Sequence, residues 1–85
     1  MIKVIDWNNF PDVPEGFSKL DLAEVKRVYD YELPPLVVYA GVAEDREGHV
    51  IPVVAVIEEG TEIAKLYILE KGEESVEREL IASLV

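Results

Sequence analysis

The chain has 85 residues, 18 acidic side chains against 8 lysines and arginines, a net charge of −10, 49% hydrophobic residues and no cysteine. That describes one domain with enough apolar content to fold despite its charge. Disulfides, thiolate catalysis and cysteine-ligated zinc are excluded, and the carboxylate excess disfavours direct binding to nucleic-acid phosphates.

No apolar run approaches the ~20 residues a membrane helix needs, and the start lacks a basic region followed by an apolar stretch. The expectation is a soluble, cytoplasmic protein. Glutamine is absent, Asn8 and Asn9 are the only asparagines, and valine, isoleucine and glutamate abound. This composition matches the thermophilic pattern.

Residues 1–17 open with a weak alternation from Ile2 to Asp6, which predicts a short strand. A proline-rich loop follows from Trp7 to Gly16, pinned onto the body by its aromatics. Residues 18–33 predict a helix: Asp21 and Glu24 have capping-box spacing, and Leu22, Val25, Val28 and Tyr29 recur at threes and fours. Pro34 and Pro35 end it. The rival reading is a strand from Val25 to Leu33 with Arg27, Tyr29, Tyr31 and Leu33 on one face.

Residues 36–70 contain three apolar, β-branched runs, Leu36 to Ala43, Val50 to Ile57 and Ile63 to Leu69. Short charged breaks with Gly48 and Gly60 separate them, which predicts consecutive antiparallel strands. Lys71 and Gly72 close the third. Residues 73–85 predict a second helix, with Glu73 and Glu74 in its first turn and Val76, Leu80, Ile81 and Leu84 as its apolar stripe. The expected fold is α+β, a two-layer sandwich of a three- to four-stranded, mainly antiparallel sheet with two helices, in the order β-α-β-β-β-α.

The middle strand is apolar on both faces: Ile51, Val53, Ala55 and Ile57 point one way, and Val50, Pro52, Val54 and Val56 the other. In the third strand Ala64, Leu66 and Ile68 share one face, and Ile63, Lys65, Tyr67 and Leu69 the other. If both helices lie on one side, the face bearing Val54, Val56, Tyr67 and Leu69 needs another cover. Either the Trp7 to Gly16 loop provides it, or a second copy of the chain or another protein partner docks there. Pro52, which cannot donate to a ladder, belongs at an edge, a bulge or a strand entry.

No residue is assigned a catalytic role, and no metal or cofactor is expected. His49 lies in a hairpin among carboxylates without a nucleophile at a recognisable spacing. The clusters Glu44-Asp45-Glu47, Glu58-Glu59-Glu62 and Glu73-Glu74-Glu77 lack calcium-loop spacing, and the first two fall at opposite ends of the middle strand. Glu62 and Lys65 are three apart, not the two of a metal-dependent nuclease pair. Gly41, Gly48, Gly60 and Gly72 are isolated, so no phosphate loop is present.

From residue 21 to 85 the helix, three strands, helix order resembles the topology of double-stranded-RNA-binding domains. Their phosphate-gripping helix start is basic, whereas this chain carries Glu73, Glu74, Glu77 and Glu79 there. A strand-strand-strand-helix order also resembles acidic antitoxins that neutralise basic ribonucleases. The sequence therefore favours a non-catalytic interaction or regulatory protein. The alternatives are an acidic nucleic-acid mimic or antitoxin-like inhibitor of a basic protein, and a small metal-dependent hydrolase.

Overall fold

The computed structural model describes residues 2–10, 12–29, 31–61, 63–69 and 74–83, without the side chains of 74–76. Strand β1 spans Lys3–Asp6, β2 Phe17–Val28, β3 Leu36–Asp45, β4 Val50–Glu58 and β5 Ala64–Ile68, and helix α1 spans Glu74–Ser83. The three apolar runs are β3, β4 and β5, joined by hairpins in which Gly48 and Gly60 take φ of 89° and 82°. Glycine meets those left-handed positions without the Cβ clash of other residues. Glu62, Lys71, Gly72, Glu73 and Leu84, invoked above for turns, charge clusters and the helix stripe, lie outside the described residues, as do the side chains of Glu74 and Val76.

All five strands form one antiparallel sheet in the order β1-β5-β4-β3-β2. The short N-terminal strand does not join its sequence neighbour. It pairs with β5, Val4 opposite Tyr67 and Ile5 opposite Leu66, while β2 forms the far edge. The segment from Trp7 to Gly16 must therefore cross the whole sheet.

The expected two-helix sandwich is corrected at residues 18–33, which carry strand β2 and its exit rather than a helix. Ten register pairs tie β2 to β3, from Phe17 opposite Asp45 to Val28 opposite Leu36, and this pairing overrides the local helix signals. The helical spacing marks no single face of β2: Leu22, opposite Gly41, and Val28, opposite Leu36, point to different sides of the sheet, and Val25 is 51% exposed at a bulge. Bulges between Phe17 and Lys19 and between Glu24 and Lys26 each insert one residue. Phe17, Leu20, Leu22, Glu24 and Arg27 consequently share a face, so intervals of three interrupt the two-residue period. The rival strand reading began too late, at Val25.

The two sheet faces have separate cores. On one, which we call the crossover face, Trp7, Ala43, Val53, Ala55, Ile57, Ala64 and Leu66 are buried, with Ile5, Phe10, Phe17, Leu20, Leu22 and Tyr39 packed around them. Trp7 is clamped there: its backbone N–H donates to Ala64 O at 2.9 Å and its Nε1–H to Asp12 O at 2.7 Å. The Phe10 ring meets its indole edge-on at 5.0 Å. On the other face, the helix face, Val38, Val54 and Leu69 are buried with Ile2, Val56, Tyr67, Leu80 and Ile81 against them. Lys26 Nζ of β2 donates to Ile81 O at 3.2 Å, bringing positive charge to the end of a helix whose last turn has no basic residue.

Pro52 sits inside β4, opposite Val42. Its carbonyl accepts from Leu69 N–H at 3.0 Å, so its ring nitrogen faces the same neighbour and cannot return a hydrogen bond. The β4–β5 ladder accordingly stops at Val53 opposite Ile68. No helix among the described residues is long and apolar enough to cross a membrane.

Candidate interaction surface

The four residues expected to meet a partner occupy the helix face together. Val54 and Leu69 are fully buried, and Val56 and Tyr67 half-buried, with Leu80 and Ile81 of α1 against them. Their cover is thus the C-terminal helix and Ile2, while the Trp7 to Gly16 loop covers the opposite face. The sequence predicts a second helix at residues 18–33 and offers the Trp7 to Gly16 loop as a cover for this face; the loop covers the other one instead.

α1 packs against Ile2, Tyr67, Val54, Val56 and Val38, and its end takes the Lys26 ammonium of β2, so the helix lies across the strands. A helix is about 10 Å across, whereas the nine residues of β4 extend about 30 Å, so part of each strand's length stays uncovered, and the exposure pattern shows where it lies. Val42 and Val50 are 41% and 62% exposed, Ala23 is exposed, and Ala40 and Pro52 are half-buried. By register these residues all share the helix face, on β2, β3 and the entry of β4. They extend outward from Leu69, so the expected contact residues form the inner margin of an apolar strip that continues uncovered.

The strip forms an open trough of about 1030 Å³, lined by Val42, Val50, Pro52, Leu69, His49 and Glu77 among others. A smaller hollow of about 170 Å³ adjoins it through the shared Val42 and Val50 and adds Lys19, Asp21 and Glu44. The floor is aliphatic, and the rim carries Asp21, Glu44 and Glu77 against one lysine. An apolar floor inside a polar rim is the core-and-rim arrangement of protein interfaces.

At the mouth of the trough the β3–β4 hairpin is held by Asp45. Its Oδ1 accepts the backbone N–H groups of Glu47 and His49, each at 2.9 Å, and its Oδ2 lies 3.0 Å from His49 Nδ1. Glu47 Oε2 stands 3.6 Å from the same nitrogen. Asp45, Glu47 and His49 are the single group of three metal-capable side chains among the described residues, and two of the three are exposed. Their mutual hydrogen bonds explain the cluster as a hairpin brace.

These contacts hold the Asp45 carboxyl below the usual aspartate range, chiefly through the His49 backbone N–H, then through the His49 ring and the Glu47 N–H. A depressed folded value stabilises the hairpin fully above the unfolded pKa of ~3.9, and the contribution is lost as pH falls through the folded value. In a carbon-detected NMR titration the Asp45 carboxyl should show its midpoint below ~3.9. A midpoint at or above that value would contradict the brace.

The remaining aromatics divide. Phe17 and Tyr39 join Trp7 and Phe10 in the crossover core, whereas Tyr29 and Tyr31 are 72% and 102% exposed in the β2–β3 connection. Arg27 is taken up by Glu24, 2.8 Å from its Nη2, and by Glu59 on its Nη1. A second hollow, of about 590 Å³, lies beside the crossover between Ile5, Asn8, Pro14, Phe17 and Arg46. Its polar groups Asp6, Asn8, Asn9, Glu15 and Arg46 are all exposed.

A five-stranded antiparallel sheet with one covering helix and an acidic-rimmed trough defines the class of molecule. No protein-family model, curated protein or solved structure matches this chain.

Proposed function

We propose that this chain is a non-catalytic interaction protein that binds another protein on the uncovered part of its helix face. One observation carries the reading: Val42, Val50 and Pro52 continue the buried Val54–Leu69 strip past the edge of α1, and two of them stand 41% and 62% exposed. Covering what remains exposed of each valine gains about half of the ~1.5–3 kcal/mol for burying a fully exposed side chain, which favours a partner there.

The test is selection of a displayed peptide library on the immobilised wild-type protein, followed by rescreening on Val50→Glu. Binders that lose at least tenfold in affinity on the variant support the reading. If every enriched binder tolerates Val50→Glu, while circular dichroism shows the variant folded, the trough is not the binding surface.

A further inference from the structure

Resting on that reading of the trough, we infer that its occupant is a basic amphipathic helix of a partner protein, lying beside α1 on the same sheet face. Space comes first. α1 lies across the strands from Tyr67 to Lys26, and beyond Val54 the face runs on through Pro52 to Val50, about 13 Å of strand and room for one further helix of about 10 Å diameter. The floor comes next: Val42, Val50 and Pro52, with Leu69 at its inner margin, present apolar side chains to one face, and an apolar strip of this kind accepts the i, i+3, i+4, i+7 side chains of a helix. Ladder pairing is not what this site offers, because the residues present side chains rather than free backbone groups.

The sign of the partner follows from the rim. Asp21 and Glu44 flank the floor on the β2–β3 side and Glu77 on the α1 side, with Lys19 as the one cation among the lining residues. Lys26 is turned to the end of α1 and Arg27 to Glu24 and Glu59, so neither offsets this rim. A net charge of −10 adds long-range attraction for a cationic segment and repels a second copy of the chain. A lysine-flanked apolar helix therefore fits both floor and rim, whereas the chain's own helix, with Glu77 and Glu79 against Arg78, fits only the floor.

The experiment titrates the isotopically labelled full chain with a synthetic leucine–alanine helix of about four turns carrying lysines on its polar face. Twins carry glutamine or glutamate in place of lysine. At low salt the lysine peptide should bind at least about tenfold more tightly than the glutamine twin, and the difference should fall to about twofold in 0.5 M salt. Shifts should centre on the amides of Ala40, Val42, Val50 and Leu69. The double substitution Glu44→Gln and Glu77→Gln should remove the lysine preference while the glutamine twin still binds.

Equal binding of the lysine and glutamine peptides at the trough would overturn the basic partner and leave the proposed function standing. Absence of any trough shifts with all three peptides would overturn both. Sedimentation showing a dimer whose interface contains Val50 would assign the surface to a second copy and overturn this inference.

Discussion

Replacing Trp7 by alanine should remove a large part of the stability of this domain. At about 0.05–0.15 kcal/mol per residue, an 85-residue chain has about 4–13 kcal/mol in total, and truncating a buried tryptophan costs about 3–5 kcal/mol. Trp7 is 3% exposed and does more than fill space. It joins the end of β1 to Ala64, the turn at Asp12 and the Phe10 ring, and so fastens the segment that covers an entire sheet face. Without it, Val53, Ala55 and Leu66 lose part of their cover as well as a neighbour. Urea unfolding followed by far-UV circular dichroism should show the loss for Trp7→Ala, and about 1 kcal/mol for Trp7→Phe, which keeps an aromatic ring but loses the Nε1–H donor. A Trp7→Ala variant within about 1 kcal/mol of wild type would mean the crossover is not fastened there.

The sheet's centre was legible because its signals are local. Runs such as Val53-Val54-Ala55-Val56 are short and β-branched, and Gly48 and Gly60 stand where hairpins turn, so β3, β4, β5 and both connections follow from the chain itself. β2 was not legible because its two bulges break the two-residue alternation of a strand, while Leu22, Val25 and Val28 recur at threes without sharing a face and Asp21 with Glu24 imitates a helix start. Only the long register with β3 decides against the helix, and that pairing is a tertiary fact. The same limit applied to the surface. The two-sided hydrophobicity of β4 showed that both faces needed covers, yet which cover lay where depended on β1 pairing with β5 and forcing residues 7–16 across the sheet. Val54, Val56, Tyr67 and Leu69 do share one face, but α1 packs over them, and the exposed part of that face lies toward the β3–β4 hairpin, at Val42 and Val50.

Gly41→Ala should unfold the chain nearly as effectively as Trp7→Ala, by the opposite mechanism. Gly41 sits in the middle of β3, between Leu22 of β2 and Val53 of β4. A Cβ at this position would lie 1.9 Å from the Asp21 carbonyl oxygen, 2.9 Å from its carbon and 3.0 Å from Leu22 Cα. Carbon and oxygen approach no closer than ~3.3 Å even in favourable contacts, so β2 must move by more than 1 Å. The obstruction is backbone, which cannot rotate aside as a side chain would. Overpacking costs about 1–3 kcal/mol when side chains can adjust, and a backbone clash belongs at or above the upper end of that range. At ~4–8 °C per kcal/mol, the melting temperature should fall by about 12–24 °C. Gly60→Ala is the control, because its φ of 82° imposes left-handed strain of about 1–2 kcal/mol while nothing lies within 4 Å of the added carbon. If Gly41→Ala were no more destabilised than Gly60→Ala, the close approach of β2 to β3 would be wrong. Hydrogen exchange localises the effect: amides of β2 should lose protection first and those of β4 and β5 last, since the clash falls on β2 alone. Because Asp21 and Lys19 ride on that strand, the variant should also lose one wall of the trough before the apolar floor at Val50 is disturbed.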